Sequence, residues 1–170
     1  METNPVLNAL QQRRSIREFT DAPVDAALLT GIIEAGIWAP SGLNNQPWRF
    51  VIIEDATTKT LLAGQTHYSH IILAAPVLIA VYLDKRDMYD PVKDHQAAGA
   101  CIQNMLLAAE AFDLGAVWLG QILKNKTTVN KILSLDGNYD LMAILAIGYP
   151  AHHRQQSHRK PLEHFILKKI

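Results

Sequence analysis

The spacing of apolar residues along this chain predicts most of its helices. Apolar residues at helical spacing follow Asp25 and stop before Pro40, which predicts a helix that begins at about Ala26. These apolar residues are Leu28, Leu29, Ile32, Ile33 and Ile37. Four more helices are predicted, the first of them capped by Asn4. Their ranges are Pro5–Gln12, Thr57–Gln65, Lys93–Phe112 and Asn125–Leu133.

Runs of β-branched and other apolar residues predict the strands. Three such runs indicate buried strands at Trp48–Ile53, Pro76–Tyr82 and Leu141–Ile147. A short strand and turn is predicted at Gly115–Gly120. Helices and strands do not alternate regularly, and no G-x-G-x-x-G motif follows a strand, so a doubly wound dinucleotide-binding fold is not supported. We therefore predict an α+β fold with a central, mostly antiparallel sheet flanked by helices.

The predicted helix at Lys93–Phe112 carries two distinct surfaces. Polar residues recur every seven positions at Gln96, Gln103 and Glu110. Small residues share another face, which would let a second helix approach closely. They are Ala97, Ala100, Asn104, Ala108 and Ala111. That approach would occur either inside one subunit or at the seam of a homodimer, where the same helix meets itself about a two-fold axis.

Composition narrows the function classes. The chain has 170 residues, which predicts one domain over residues 1–170. Lys plus Arg and Asp plus Glu both number 16, and this balance argues against a general nucleic-acid or anionic-membrane binder. One cysteine, a polar start at Met1–Gln12 and no apolar run of about 20 residues predict a cytoplasmic protein without a signal peptide or membrane span.

Against this neutral background, residues 13–17 concentrate positive charge. Arg13, Arg14 and Arg17 surround Ser15 within five positions. Each guanidinium offers a planar fork of donors that matches a phosphate or carboxylate. In an extended segment, Arg13, Ser15 and Arg17 would point to one side and Arg14 to the other. The segment is therefore a candidate anion cradle, although a solvated basic patch between two helices would show the same pattern.

A second candidate segment lies between two prolines. Pro40 and Pro47 bias the residues before them away from helix and should fix the shape of the loop between them. Neutral donors and acceptors along this loop suit the edge of a flat heteroaromatic ring. They are Ser41, Asn44, Asn45 and Gln46. An ordinary helix-to-strand connection stabilised by its own side chains is the alternative interpretation.

No motif for nucleophilic or hydrolytic catalysis is present in the sequence. It contains no nucleophile elbow, Walker loop, His-Glu-x-x-His or Cys-x-x-Cys. His67 and His70 have helical spacing but no obvious third metal ligand, and the tail histidines lack acidic partners. We assign no metal site and no catalytic residue. An anion cradle beside a ring-binding loop fits a bound cofactor that supplies its own reactivity.

Together, these motifs resemble the nitroreductase family of flavin-dependent oxidoreductases. Arg-Arg-Ser-x-Arg at residues 13–17, followed by Ala-Pro-Ser-x-x-Asn-x-Gln-Pro-Trp at residues 39–48, is that family's paired signature. Further matches are Gln103-Asn104, Gly115–Gly120, Gly148–Pro150 and Arg159–Leu162. The resemblance covers essentially the whole chain. It implies a nitroreductase-like fold and an intertwined homodimer with FMN at the interface.

The resemblance also implies which residues hold FMN. One group would bind the phosphate and the ribityl chain, and it comprises Arg13, Ser15, Arg17 and Arg159, with Arg14 nearby. A second group would border the ring from the other subunit, and it comprises Pro40, Ser41, Gly42, Asn44 and Gln46. A third group would line the other side of the ring through its backbone, and it comprises Trp118, Leu119 and Gly120.

The activity that the resemblance implies is reduction of electron-poor small molecules. Hydride would pass from NAD(P)H to FMN and then to a nitroaromatic or a quinone in a ping-pong order. A flavin-binding storage or regulatory protein without significant turnover would use the same binding residues, so it stays an alternative. The chain is short for this family, which leaves Leu83–Val92 as the only candidate lid.

Overall fold

The computed structural model describes residues 4–170, so Met1, Glu2 and Thr3 of the predicted polar start lie outside the described residues. Within that range the helices are α1 (Pro5–Gln12), α2 (Ala26–Ile37), α3 (Ala56–Ala63), α4 (Ser69–Ala74), α5 (Pro91–Ala111) and α6 (Lys126–Ile132). The strands are β1 (Trp48–Ile53), β2 (Val77–Asp84), β3 (Gly115–Leu119) and β4 (Tyr139–Gly148).

The four strands form one antiparallel sheet in the order β1-β2-β4-β3. Strands β2 and β4 occupy the centre, and β2 is buried along its whole length. A register shift between Val81 and Tyr82 interrupts the pairing of β2 with β4. The predicted α+β fold with a mostly antiparallel sheet is confirmed.

Helices cover both faces of the sheet, and strand residues alternate between them. Ile79 and Leu145 point to the layer of α2 and α5, whereas Leu78 and Ile144 point to the layer of α3, α4 and α6. This alternation produces two apolar cores, one on each face. Helices α2 and α5 therefore pack side by side on the face that also receives Ala116 of β3.

Side-chain caps explain where several helices begin. Asn4 accepts hydrogen bonds from the first turn of α1, and Asp25, Asp55 and Asp90 do the same for α2, α3 and α5. Pro5 and Pro91 occupy the first positions of α1 and α5, where a missing N–H costs no helical hydrogen bond. Helix α5 thus starts two residues before the predicted Lys93.

Two stretches differ from expectation. Helix α4 was not predicted because Tyr68 precedes it without a side-chain cap and it has only six residues, two of which are buried in the core. The candidate lid at Leu83–Val92 is not a free loop, because β2 extends to Asp84 and α5 already begins at Pro91. Between residues 4 and 170 no helix is both long and apolar enough to cross a membrane.

Candidate functional site

The basic segment is held against the edge of the sheet by its own apolar residue. Ser15 forms a parallel bridge with Ala116, and the Ile16 N–H donates to the Ala116 carbonyl at 3.1 Å. The Ile16 side chain is buried against Gly115, where an added Cβ would lie 2.7 Å from it. Residues 13–17 are therefore an anchored extended segment, in contrast to a loose basic patch.

The pKa of the Arg13 guanidinium depends on its burial and on the charges of its neighbours. Partial burial lowers the pKa of its guanidinium, and the positive charge of Arg159 lowers this pKa further. Glu110 acts in the opposite direction. Two guanidiniums that lie close enough to repel each other form a site that an anion would stabilise. Arg159 therefore lies near enough to Arg13 for its charge to act on that guanidinium, and their shared role at a phosphate stays a prediction.

The other two arginines of the segment differ in their contacts. Arg14 turns back onto α1, and its Nη1 donates to the carbonyls of Gln11 and Gln12 at 2.6 and 2.9 Å. It shares a cavity of about 200 Å³ with Ile16, which agrees with the predicted alternation. Arg17 is exposed, and its Nη1 donates to the Ser15 carbonyl at 3.3 Å. A role for Arg14 near a phosphate stays a prediction.

The loop between the two prolines has an unusual backbone. Leu43, Asn44 and Gln46 have φ values of 54°, 55° and 48°, in the left-handed region that non-glycine residues avoid. Each residue held there costs about 1–3 kcal/mol, so this conformation persists only where the surrounding structure fixes it. Local hydrogen bonds help, since the Gln46 N–H donates to Ser41 Oγ at 3.1 Å and the Gln46 side chain donates to the Asn44 carbonyl at 3.2 Å.

This loop is also tied to the start of α5. Asn45 Nδ2 donates at 2.9 Å both to Asp94 Oδ1 and to the Asp87 carbonyl. The Tyr89 ring lies on Gly42 so closely that an added Cβ would be 2.0 Å from its hydroxyl oxygen. Arg49 forms an ion pair with Asp87. The segment predicted as a lid is therefore fastened to the ring-binding loop.

Asp94 is the residue in this region that sequence reasoning missed. Its carboxylate is fully buried and accepts from Asn45 and from the backbone N–H groups of Tyr89 and Asp90, both at 3.0 Å. Burial alone would raise the pKa of Asp94, but these hydrogen bonds outweigh it, and the pKa lies below its ordinary value. The sequence did offer one signal for Asp94. It is an acidic residue between Lys93 and Ala97, in the first turns of a helix that packs on the core.

The third predicted group lies at the end of β3. Trp118 is half-exposed and its ring reaches Gly99 of α5, while Leu119 is buried. No atom lies within 4 Å of a Cβ built on Gly120, so its backbone is open to a ligand. The next residue is fixed, because Gln121 Oε1 accepts from the Thr66 hydroxyl at 2.6 Å and from the His67 N–H at 3.0 Å.

Within one chain, the basic segment and the ring-binding loop lie at opposite ends of α5. The loop borders Gln96, whereas the charge of Glu110 acts on Arg13. Fourteen residues of helix separate Gln96 from Glu110, which is about 21 Å along the axis. Trp118 moreover lies on the side of α5 that carries Gly99, away from the loop. The three predicted groups therefore do not converge in a single chain.

The small-residue face of α5 has two roles. Ala97 is buried, and Asn104 Nδ2 donates to the Ala35 carbonyl of α2 at 3.2 Å, so part of this face packs within the chain. Its outer part lines an open apolar groove of about 490 Å³ that is bounded by Val6 and Trp38. Trp38 is 85% exposed, which is a large area for an indole.

The histidines do not form a metal centre in the part of the chain that the structure describes. No group of three or more His, Cys, Asp or Glu side chains is arranged to hold an ion among residues 4–170. The donors that the basic segment and the loop present are guanidiniums, which suit an anion, and neutral polar groups, which suit a ring edge. A phosphate-bearing heteroaromatic cofactor fits this donor set.

Comparison with known proteins identifies the family. The model of the nitroreductase family matches residues 10–149. A crystal structure from Desulfovibrio desulfuricans, reported as a nitroreductase in complex with FMN, is 50% identical with a TM-score of 0.95 over 99% of this chain and 98% of that chain.

Two relatives support the same assignment. A protein from Thermus thermophilus named NADH dehydrogenase is 33% identical over 97% of this chain and 98% of its own length. A protein from Methanothermobacter thermautotrophicus named NADH dehydrogenase/NAD(P)H nitroreductase is 30% identical over 86% of this chain and 78% of its own length.

These matches confirm both the predicted resemblance and the nitroreductase-like fold. The family match begins just before the basic segment and ends after β4. The paired motifs at residues 13–17 and 39–48 both lie inside it. We conclude that this chain belongs to the nitroreductase family.

Proposed function

We propose that this protein is an FMN-dependent oxidoreductase that uses NAD(P)H to reduce electron-poor small molecules such as nitroaromatics and quinones. The single observation that carries the proposal is the anchored segment at residues 13–17, which fixes Arg13 beside β3, where the charge of Arg159 also acts on it. Membership of the family and the FMN-bound relative support the choice of cofactor. The names of the relatives support the choice of a nicotinamide as reductant.

The residues of this chain divide the work of holding the cofactor. Arg13, Ser15, Arg17 and Arg159 bind the phosphate and the ribityl chain, with Arg14 behind them. Trp118, Leu119 and Gly120 offer backbone groups to one side of the ring, and the open backbone at Gly120 supports this role. The loop residues Pro40, Ser41, Gly42, Asn44 and Gln46 border the ring from the partner subunit. When bound, FMN would supply two-electron redox chemistry, with a nicotinamide as the reductant and a ping-pong order of substrates.

The separation of the groups along α5 supports a homodimer. A loop that lies about 21 Å along the helix from Glu110 is better placed to serve a second subunit than the basic segment of its own chain. The exposed groove that includes Trp38 offers an apolar surface for the partner. The tail supports the same assembly, because apolar residues such as Phe165 and Leu167 are exposed there. Each subunit is proposed to be one domain over residues 1–170. The proposed location of the protein is the cytoplasm.

The test of the cofactor site removes one cation at a time. Arg13→Ala and Arg17→Ala should each weaken FMN binding by about 1–3 kcal/mol, the scale of a lost charge-assisted hydrogen bond. Arg154→Ala removes the same charge from an exposed tail position and is the matched control. Affinities are measured by quenching of flavin fluorescence. Unchanged FMN affinity in both cradle variants would refute the assignment of the basic segment.

A second measurement separates the oxidoreductase from a flavin store. Purified protein loaded with FMN is mixed with NADH or NADPH without air, and the flavin absorbance is followed. The proposal requires that the yellow colour bleaches and returns when a quinone or a nitroaromatic is added. A flavin that stays oxidised under both nicotinamides would favour the storage or regulatory protein.

A further inference from the structure

The loop at residues 41–46 adopts a conformation that its own sequence does not favour. Leu43 and Gln46 have positive φ values without being glycine, and Asn44 lies between them in the same region. Left-handed residues of this kind persist only where the surrounding structure determines them. The local hydrogen bonds from Gln46 stay within the loop, so they cannot fix its position on the rest of the protein. Something outside the loop must do this.

Two contacts from the start of α5 meet that requirement, and both depend on one carboxylate. Asp94 Oδ1 accepts from Asn45 Nδ2, which joins the middle of the loop to α5 directly. Asp94 Oδ2 accepts from the Tyr89 N–H and so fixes the backbone of Tyr89, whose ring lies on Gly42. Each oxygen of the carboxylate thus controls a different contact with the same loop.

The amide of Asn45 has no alternative orientation that serves as well. Its Nδ2 reaches two acceptors, Asp94 Oδ1 and the Asp87 carbonyl, whereas its Oδ1 is buried without a donor among the residues described. Rotation of the amide would direct an oxygen at both acceptors. The pairing therefore selects one side-chain orientation and one loop position.

We propose that Asp94 is a positioning residue for the flavin ring, because its buried carboxylate holds the loop with its three left-handed residues in place through Asn45 and Tyr89. This inference rests on the proposed function in so far as the loop borders the ring. Because Asp94 is fully buried, it would act through the loop and not by direct contact with the ring. Its effect is to present the polar groups of the loop in a fixed arrangement before the ring arrives, which lowers the entropic cost of binding.

The first experiment measures the loop without any ligand. In Asp94→Asn, hydrogen exchange of the backbone amides of Asn44, Asn45 and Gln46 should become faster by about tenfold, the factor that corresponds to one lost hydrogen bond to a charged group. Amides of β2 should be unchanged. Asp90→Asn is the matched control, since it removes a neighbouring carboxylate at the same turn and asparagine still caps a helix. Equal exchange in the two variants would overturn the proposal.

The second experiment separates ring contacts from phosphate contacts. Asp94→Asn should weaken binding of riboflavin, which lacks a phosphate, by the same factor as binding of FMN, again about tenfold. Arg13→Ala should weaken binding of FMN much more than binding of riboflavin, because the phosphate carries the charge that a guanidinium recognises. A loss confined to FMN, or no loss, in Asp94→Asn would count against the role of Asp94. If the unmodified protein binds neither flavin, the proposed function fails, while the exchange experiment still decides whether Asp94 fixes the loop.

A third variant guards against a fold defect in Asp94→Asn. Asn45→Ala leaves the carboxylate with its two backbone donors and removes only the amide that reaches the loop. It should reproduce the faster exchange of residues 44–46 and the common loss of riboflavin and FMN affinity. Thermal unfolding of the ligand-free variants shows whether each is folded. A folded Asn45→Ala with an unchanged loop would overturn the proposal even if Asp94→Asn cannot be purified.

Discussion

Asp84 is the last residue of the central strand β2, and it is held there by two arginines. Asp84 is 4% exposed, and its carboxylate receives two hydrogen bonds at 2.7 Å from Arg86, one from Nε and one from Nη2. The hydrogen bonds from Arg86 are the main cause that lowers the pKa of Asp84 to about 2 from an ordinary value of 3.8. Arg49 lies 3.9 Å away and adds a second positive charge.

This shift predicts a pH-dependent contribution to stability. A carboxylate whose folded pKa is depressed stabilises the fold above its unfolded pKa, and the contribution is lost as pH falls through the folded pKa. Asp84→Asn should therefore unfold at lower urea than the unmodified protein at pH 6, and the gap should narrow between pH 3.8 and pH 2. Asp21→Asn, an exposed position, is the control. A gap of constant size down to pH 2 would contradict the assignment.

At the residue scale, a local pattern predicted the placement of Arg14 beside Ile16, which followed from alternation in an extended segment. The roles of Arg13 and Arg159 came from the family resemblance, and they stay predictions. The contact of Asp94 with Asn45 joins residues 49 positions apart. Nothing in the local sequence reveals such a partner, because it depends on how α5 packs against the loop.

At the scale of elements, the pairing of α2 with α5 depends on Gly36. An added Cβ there would lie 2.7 Å from Met105 Cγ and 3.1 Å from Cys101 Sγ, both inside the core. Gly31 lies on the same helix, but an added Cβ there would meet only the ring of Phe112 at 3.0 Å. Phe112 is 37% exposed and can rotate away. The two glycines thus differ in what surrounds them.

Substitution of these glycines should have opposite effects. Gly36→Ala overpacks a closed interface, which costs about 1–3 kcal/mol, and the better helix propensity of alanine offsets up to about 1 kcal/mol of this. Gly31→Ala keeps the propensity gain and should be neutral or stabilising. Thermal unfolding of the two variants under identical conditions measures the difference. A Gly36→Ala protein as stable as Gly31→Ala would show that α2 can move away from α5 freely.

Sequence periodicity predicted the larger elements because each carries an apolar face of the expected period. Helix α2 and strands β1 and β4 were found within a few residues of their predicted ranges. Helix α4 was missed because six residues are too few to show a helical period. The order of the strands in the sheet was not predictable from the sequence, since it is decided by contacts between distant segments.

At the scale of the whole molecule, the proposed dimer makes each cofactor site a product of two chains. The basic segment comes from one subunit and the ring-binding loop from its partner. Arg13 and Asp94 of one chain would therefore serve different cofactors. This division can be tested by combining two defective chains.

A mixed dimer of Arg13→Ala and Asp94→Asn subunits should regain one tight FMN site. One of its two sites would receive Arg13 from the Asp94→Asn subunit and an intact loop from the Arg13→Ala subunit. The other site would carry both defects. The two chains are given different tags, purified together and titrated with FMN, with each variant homodimer as a control. Half-occupancy at the affinity of the unmodified protein is the expected result. If the loop acted on its own chain, both sites would stay weak, and a monomer in solution would exclude the arrangement altogether.

The tail that carries Arg159 has a consequence for cofactor exchange. Beyond Gln155 every residue is exposed, and each hydrogen bond that the structure gives residues 156–170 stays within that stretch. Within one chain, neither the sheet nor its helices therefore fix the position of Arg159. If the tail docks on the partner subunit as proposed, assembly of the two chains would complete the anion cradle, and separated chains should retain a phosphate ester less tightly than paired ones.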